Sequence, residues 1–96
     1  MAGLRYVFDP AKPEGARISS VEVRDAGGAF RQVDPSATYK AVTNNFVRTG
    51  GDGYGLFAKA KNAYDYGPNL ETVLAEYIRT NGPVAPAVAG RIRRAQ

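Results

Sequence analysis

Hydrophobic and polar residues alternate along the first third of the chain, which is the pattern of half-buried β-strands. Residues 4–8 alternate and stop at Asp9-Pro10, which predicts a short strand followed by a turn. Residues 18–24 alternate again, and the Asp-Ala-Gly-Gly run at 25–28 favours a turn back into residues 29–33. We therefore expect one strand followed by a β-hairpin.

The middle of the chain predicts a further strand and a short helix. Residues 38–46 are rich in β-branched and aromatic side chains and follow the turn-forming residues 34–37, Asp-Pro-Ser-Ala, which together favour a strand. After a glycine-rich loop, residues 56–60 predict a short helix with Leu56 and Phe57 facing inward.

The last third of the chain has the clearest helical pattern. Asn69 suits an N-cap, and Asn81-Gly82-Pro83 is typical of a helix end. The pattern predicts a helix over residues 70–80 whose apolar stripe is core, followed by an extended basic tail over residues 83–96. The stripe has the i, i+3, i+4, i+7, i+8 spacing of one helix face and consists of Leu70, Val73, Leu74, Tyr77 and Ile78.

These elements predict an α+β fold. We expect a mixed or antiparallel sheet, a short helix after the glycine-rich loop, and a C-terminal amphipathic helix packed on the sheet. A chain of 96 residues makes one domain at most, and its folding buries little more than ~60% of the unfolded surface. We therefore expect marginal stability.

Residues 44–54 contain the most distinctive chemistry and read Asn-Asn-Phe-Val-Arg-Thr-Gly-Gly-Asp-Gly-Tyr. Phe46 supplies a flat ring for stacking, and Asp52 supplies acceptor oxygens that suit a vicinal diol. The glycines around Asp52 allow a ligand to approach the backbone closely. These groups suit the base and ribose of a nucleoside. In the alternative interpretation, Phe46 is a core residue, Gly-Asp-Gly is an ordinary turn, and the chain is a structural or interaction module.

Composition excludes several catalytic centres. The chain contains no His and no Cys, so a two-metal phosphoesterase centre, a Ser-His-Asp triad and a Cys-His pair each lack a required group. Glu71 and Glu76 lie five residues apart on the predicted helix and indicate a solvated face. Asp9, Asp34 and Asp65 adjoin proline or turn residues, which favours turn formation. We expect no catalytic residue in this chain.

The net charge of +4 is concentrated at the C-terminus, where Arg91, Arg93 and Arg94 lie. Three arginines without interleaved aromatics favour a solvated tail over binding to nucleic acid or to a membrane. No apolar run approaches the ~20 residues of a spanning helix, and the first residues lack the apolar core of a signal peptide. We interpret Met1 as the start of an expressed fragment or of a trimmed gene.

Nearly the whole chain resembles one protein family. In order and spacing, four blocks are similar to the second half of the C-terminal domain of the bacterial 5'-nucleotidase/UDP-sugar hydrolase family. The spacing of Phe46 and Asp52 is the most specific part of the resemblance. The blocks are residues 3–10 (Gly-Leu-Arg-Tyr-Val-Phe-Asp-Pro), 15–18 (Gly-Ala-Arg-Ile), 34–35 (Asp-Pro) with 38–46 (Thr-Tyr-Lys-Ala-Val-Thr-Asn-Asn-Phe), and 50–54 (Gly-Gly-Asp-Gly-Tyr).

The resemblance implies that residues 1–96 are half of a layered domain that binds the nucleoside. Phe46 matches one of two aromatics that sandwich the base, and Asp52 matches the carboxylate that holds the ribose hydroxyls. The family's second aromatic and its substrate-contacting arginines and asparagine lie upstream, so only half a site is expected here. The residues that we expect to form it are Asn45, Phe46, Gly50, Gly51, Asp52 and Gly53.

The resemblance also implies partners and a cellular location. A nucleotide or nucleoside is the expected ligand, and the missing first half of the domain is the expected protein partner. A separate N-terminal metallophosphoesterase domain would hold a divalent metal pair and hydrolyse the phosphate ester, so this chain needs no cofactor and is inactive alone. Members of the family act in nucleotide catabolism in the periplasm or outside the cell.

A half-domain is expected to associate. If the missing half is not supplied, one face of the sheet exposes apolar side chains, and such patches promote contacts between chains. We therefore expect the isolated chain to form a dimer or a swapped homo-oligomer, or to be poorly stable.

Overall fold

The alternating segments at the start of the chain form a mixed four-stranded sheet. The computed structural model describes residues 2–96, and the sheet belongs to the first of two structural units, which consists of residues 2–38 and 86–96. β1 and β3 each pair antiparallel with β2, whereas β4 pairs parallel with β1. The predicted strand and hairpin are confirmed, although β3 is shorter than predicted. The strands are β1 (Leu4–Phe8), β2 (Ile18–Arg24), β3 (Phe30–Gln32) and β4 (Ile92–Arg94), in the order β3-β2-β1-β4.

Aspartate side chains shape the turns between these strands. Asp9 Oδ1 accepts a hydrogen bond from the Ala11 N–H at 3.0 Å, just after β1. Asp25 Oδ1 accepts one from the Ala29 N–H, also at 3.0 Å, between β2 and β3. Gly28 in the second turn has a φ of 86°, which residues with a side chain rarely adopt. The sequence prediction that Asp9 forms a turn is confirmed.

One face of the sheet is apolar and only partly covered. Because paired residues share a face, Leu4 and Tyr6 lie beside Val23 and Val21 across the β1–β2 pair. These four side chains are half-buried, and Ile92, which pairs with Tyr6, keeps 49% of its surface exposed. None of residues 2–96 is fully buried. The described chain therefore has no closed hydrophobic core.

The opposite face of the sheet carries charge. Arg5 donates a hydrogen bond to Glu22 across the β1–β2 pair, and its guanidinium carbon lies 4.2 Å from the centroid of the Phe30 ring. The Arg5 hydrogen bond is the main reason that the pKa of Glu22 lies below its ordinary value, with a smaller effect from the charge of Arg93. These contacts tie β1, β2 and β3 together on the face away from the apolar side chains.

We expect the sheet to lose stability in acid. The pKa of Glu22 and that of Asp25, which accepts a hydrogen bond from Arg31, are both lowered in the folded chain. Their ionised forms therefore stabilise the fold above the unfolded pKa values of about 4, and this stabilisation disappears as the pH falls through the folded values. Circular dichroism should show that the chain unfolds below about pH 4. In Glu22→Gln, stability should fall less steeply as the pH is lowered. The same loss of stability in acid in the wild type and in Glu22→Gln would contradict this role of Glu22.

β4 was not predicted from the sequence. The Tyr6 N–H donates to the Arg91 carbonyl at 2.8 Å and the Ala95 N–H donates to the Phe8 carbonyl at 2.7 Å, which extends the ladder alongside β1. Three residues, two of them arginine, carry too little apolar pattern to predict a strand. The predicted extended basic tail over residues 83–96 therefore did not include this strand, which depends on pairing with a distant part of the chain.

The helices lie in the second unit, residues 39–85. α2 matches the predicted short helix, beginning one residue earlier and ending two residues earlier, and α3 matches the predicted long helix. Together with the sheet, they confirm the predicted α+β class. The elements are α1 (Asn45–Arg48), a 3₁₀ turn (Gly51–Gly53), α2 (Gly55–Ala58) and α3 (Leu70–Asn81).

The ends of α3 follow the sequence signals in part. Asn69 is the N-cap, and its carbonyl accepts a hydrogen bond from the Val73 N–H at 3.1 Å, although its side chain makes no capping bond. Gly82 follows the helix with a φ of 70°, which glycine adopts without strain. Glu71 in the first turn and Arg79 in the last turn have the signs that the helix dipole favours.

The predicted strand over residues 38–46 is wrong. Residues 39–44 adopt no regular structure, and Asn45 and Phe46 begin α1. A strand needs a neighbouring ladder for its N–H and C=O groups, and this segment has no such pairing, with Val42 fully exposed. The Asn44 side chain instead bonds locally to the backbone, which competes with extended structure.

Two predictions of buried helical side chains are also wrong. Leu56 was expected to face inward but is 85% exposed, whereas its neighbour Phe57 is half-buried as expected. The five stripe residues of α3 were expected to be core but keep 41% to 66% of their surface exposed. A single helix buries its stripe only against a second layer, and neither α1 nor α2 packs extensively on α3.

Candidate functional site

The candidate site starts at a helix cap. Asn44 Oδ1 accepts a hydrogen bond from the Val47 N–H at 2.9 Å, and the Asn44 carbonyl accepts one from the Arg48 N–H at 3.0 Å. The chain therefore turns into α1 directly after Asn44, and Phe46 is the second residue of that helix. This role of Asn44 was not predicted from the sequence, although asparagine is among the preferred N-cap residues.

The ring of Phe46 packs against Gly51. A Cβ atom on Gly51 would lie 2.6 Å from Cε1 and Cζ of the Phe46 ring, which is far inside the contact distance of carbon atoms. Glycine at position 51 therefore permits this ring position. Phe46 still keeps 56% of its surface exposed, so much of the ring remains open to a planar ligand.

Asp52 occupies a left-handed backbone conformation, with φ 54° and ψ 29°. That region costs residues with a Cβ about 1–2 kcal/mol, although aspartate visits it more readily than most. Gly50 and Gly53, with φ of 101° and 79°, adopt positive φ beside it. Asp52 is exposed, and within residues 2–96 its carboxylate has no hydrogen-bond or ion-pair partner. The exposed carboxylate is therefore free to accept hydrogen bonds from a ligand.

The six residues predicted to form the site all lie on α1 and the turn that follows it. The Asn45 carbonyl accepts hydrogen bonds from the Thr49 N–H and from the Thr49 hydroxyl, each at 3.1 Å, and so closes the end of α1. The Asn45 side chain is exposed. Gly51 contacts the Phe46 ring and directly precedes Asp52, so the ring and the carboxylate belong to one tight turn.

Two charged residues that sequence analysis did not assign to the site brace this turn. Arg48 donates a hydrogen bond to the Phe57 carbonyl at 2.8 Å and forms an ion pair with Asp65, with 3.0 Å between Nε and Oδ1. Asp65 was expected to form a turn, as Asp34 does by accepting from the Ser36 N–H at 2.8 Å. Its side chain instead pairs with Arg48, a contact across seventeen positions that no local pattern indicates.

The neighbouring aromatic residue has a packing role. Tyr54 lies at the end of the turn with its ring centroid 6.0 Å from that of Phe57, within the range of favourable aromatic pairs. Tyr54 keeps 54% of its surface exposed. The ring of Tyr54 therefore packs within the protein.

The loop presents groups that suit ligand binding. Phe46 presents a stacking surface and Asp52 presents two acceptor oxygens beside accessible glycine backbone. Among residues 2–96, no three His, Cys, Asp or Glu side chains are grouped so that they could hold a metal ion. The described residues therefore do not fit the divalent metal pair that the resemblance implies.

Other features of the described residues lie away from this loop. A depression of about 210 Å³ is lined by residues 87–92 and includes none of the predicted site residues. Within residues 2–96, no helix has both the length and the apolar character of a membrane span.

Comparison with known proteins identifies a family that covers most of the chain. The family described as 5'-nucleotidase, C-terminal domain, matches residues 1–59. All six predicted site residues lie within the matched region.

Curated relatives match nearly the full chain. The trifunctional nucleotide phosphoesterase protein YfkN of Bacillus subtilis is 34% identical over 94 residues, which cover 97% of this chain and 6% of that protein. An apyrase of Tabanus yao is 32% identical over 96 residues, which cover 97% of this chain and 17% of the apyrase. Snake venom 5'-nucleotidases are also similar.

A solved structure shares the fold. The crystal structure of a 5'-nucleotidase precursor from Thermus thermophilus matches with a TM-score of 0.87 and 35% sequence identity, over 97% of this chain and 18% of that chain. The chain therefore spans less than a fifth of the length of each of these three proteins.

Proposed function

The chain belongs to the family of 5'-nucleotidase C-terminal domains, and from that premise we propose that it is the nucleoside-binding portion of a 5'-nucleotidase-type hydrolase. The observation that carries the proposal is the turn in which the half-exposed Phe46 ring packs on Gly51 directly before the unpartnered Asp52 carboxylate. The ring stacks on the base, and the carboxylate accepts hydrogen bonds from the two ribose hydroxyls.

In this proposal the chain binds and orients the nucleoside, and a separate domain carries out the chemistry. A separate metallophosphoesterase domain hydrolyses the phosphate ester and contains the divalent metal pair. The loop around Phe46 and Asp52 fixes the nucleoside so that its phosphate is presented to that domain, which reduces the entropic cost of reaction. The process served is nucleotide catabolism, and this chain by itself is inactive.

Binding to this chain alone should be weak. Stacking of a base on an aromatic ring contributes roughly 1–3 kcal/mol, and hydrogen bonds to a charged group contribute of order 1.5–3 kcal/mol. Immobilising the ligand costs about 4 kcal/mol or more. The balance is at most about 2 kcal/mol, which corresponds to a Kd on the order of tens of millimolar or weaker.

A titration followed by nuclear magnetic resonance tests the proposal. Adenosine and AMP are added at high millimolar concentration to the ¹⁵N-labelled chain. Amide shifts confined to residues 46–54 support a preformed half-site. A well-dispersed spectrum without shifts would show that this chain does not bind a nucleoside, and the nucleoside-binding assignment would fail for it.

Replacing Asp52 with glycine should separate binding from folding. Glycine adopts the left-handed conformation of position 52 without strain, so we expect the free energy of unfolding to change by about 1 kcal/mol or less. The carboxylate is lost, however, and the affinity for adenosine should fall by roughly tenfold or more. 2'-Deoxyadenosine serves as the control ligand, because it lacks one of the two ribose hydroxyls. The difference in affinity between the wild type and Asp52→Gly should therefore be much smaller for 2'-deoxyadenosine than for adenosine. Equal adenosine shifts in both chains would refute the ribose contact.

We also propose that the protein acts in the periplasm or outside the cell. Support comes from the relatives named as snake venom 5'-nucleotidases. The absence of cysteine is compatible with such a compartment, in which free thiols oxidise.

A second candidate function is a non-catalytic interaction module that associates with another copy of itself. The observation that favours it is the exposed apolar stripe of α3, whose five side chains keep 41% to 66% of their surface open. Adenosine distinguishes the two candidates, since a pure interaction module does not respond to the ligand.

A further inference from the structure

We propose that Arg48 is a positioning residue that holds the Asp52 turn in its binding conformation by bridging Phe57 and Asp65. The inference rests on the proposed function for its binding consequence, whereas its effect on the shape of the turn stands without a ligand. Arg48 does not itself contact the ligand in this scheme.

The position of Arg48 makes the bridge possible. It is the last residue of α1, immediately before the turn that contains Asp52. Its Nη1 donates to the carbonyl of Phe57 at 2.8 Å, and Phe57 lies in α2, where the chain emerges from that turn. One side chain therefore joins the entry and the exit of the segment that carries the candidate site.

Asp65 holds the other edge of the guanidinium. Its Oδ1 lies 3.0 Å from Nε of Arg48 and its Oδ2 lies 3.5 Å from Nη2. The Nε contact is an ion pair without the directional geometry of a hydrogen bond, because Nε has no hydrogen-bond partner of good geometry. Only 25% of the Arg48 side chain is exposed, against 54% for Asp65, so the cation is partly desolvated and depends on its partner.

The turn requires such a restraint. Gly50, Asp52 and Gly53 all have positive φ, and the described backbone bonds of the turn are short-range, such as that from the Tyr54 N–H to the Gly51 carbonyl at 3.2 Å. Flexible glycine-rich segments populate many other conformations. A bridge between their two ends removes many of those conformations before a ligand arrives, which is the preorganisation that weak sites need.

Arginine is suited to this task in a way that lysine is not. The planar guanidinium presents separate edges, so that Nη1 donates to Phe57 while Nε and Nη2 face Asp65, whereas an ammonium group is a point charge on a flexible chain. Arg48→Lys therefore preserves charge but loses the geometry. Asp65→Asn preserves shape but removes the charge that holds the guanidinium.

The experiment compares the wild type with Arg48→Lys, Arg48→Ala and Asp65→Asn. Arg79→Lys is the matched control, because Arg79 pairs with Glu76 on the surface of α3, in the same unit but outside the site. Heteronuclear ¹H–¹⁵N NOE values of residues 50–54 are measured first without ligand, followed by the Kd for adenosine and the thermal midpoint. The sheet amides report whether each variant remains folded.

In the expected result, both Arg48 variants and Asp65→Asn lower the NOE values of residues 50–54 and leave those of the sheet unchanged. The Kd for adenosine rises by about tenfold, while Arg79→Lys changes neither quantity. Wild-type NOE values at residues 50–54 that survive in Arg48→Lys and Arg48→Ala would overturn the proposal. If Arg48→Ala unfolds, Arg48→Lys and Asp65→Asn decide the question.

The experiment distinguishes failure of the nucleoside-binding proposal from failure of the Arg48 bridge. If adenosine does not shift the wild-type spectrum, the nucleoside assignment fails, but the ligand-free NOE values still confirm or refute the bridge. If the wild type binds adenosine and the Arg48 variants bind it equally well with an equally ordered turn, the bridge fails and the nucleoside assignment survives.

Discussion

Phe46→Ala is expected to abolish measurable binding of adenosine and AMP to this chain. Truncation of a stacking aromatic costs roughly 1–3 kcal/mol, or about 5- to 150-fold in Kd. Because the wild-type Kd is expected to be on the order of tens of millimolar or weaker, that loss exceeds the range that ligand solubility allows. Amide shifts of residues 46–54 during the titration are the measurement, and in the variant they should be absent.

Two further substitutions show whether the ring position matters as well as the ring itself. Phe46→Tyr keeps a stacking face and should preserve the shifts. Gly51→Ala keeps the phenyl ring but places a methyl group 2.6 Å from its present position, so the ring must move and the shifts should weaken. Ligand-induced shifts that persist unchanged in Phe46→Ala would remove Phe46 from the site. Shifts that are lost in Phe46→Ala but unchanged in Gly51→Ala would show that the displaced ring still binds the ligand.

The second large effect is expected in the state of association. The five side chains of the α3 stripe keep 41% to 66% of their surface exposed, and exposed apolar patches of this kind promote contacts between chains. Sedimentation equilibrium at tens of micromolar should therefore show a dimer formed through the α3 stripe.

Lysines in the stripe should disrupt that dimer. Val73 and Ile78 are the least exposed members of the stripe, at 46% and 41%. The double substitution Val73→Lys with Ile78→Lys should weaken association by at least about tenfold. In a symmetric dimer each substitution is present in both partners, so its effect occurs twice in the interface. Thr72→Lys with Ala75→Lys is the matched control, since the helical repeat places these residues on the other side of α3. A wild-type chain that sediments as a monomer with a high thermal midpoint would refute the prediction.

The candidate site was predictable from the sequence because its chemistry is local. Phe46, Asp52 and the three glycines lie within eight positions of one another, and glycines beside an aspartate indicate left-handed turn backbone. Arg48 and Asp65 could not be predicted in the same way. Their ion pair joins residues seventeen positions apart, and each residue considered by itself resembles an ordinary surface charge.

The errors in the fold have a common physical origin. Residues 38–46 have the composition of a strand but form none, because the ladder that a strand requires is not supplied to them. β4 has little strand composition but forms beside β1, because that edge supplies a ladder. The α3 stripe has the pattern of a core but is exposed, because burial requires a second layer.

The sequence by itself determined the α+β class, the strands β1 and β2, the hairpin, α2, α3 and the glycine-rich turn. Each of these depends on alternation, helical spacing, caps or glycine conformations that act over a few residues. Only the tertiary structure decided that β4 extends the sheet, that Asn44 starts a helix where a strand was expected, and that Arg48 and Asp65 bridge the turn. Those outcomes depend on the backbone and charge partners that distant segments do or do not supply.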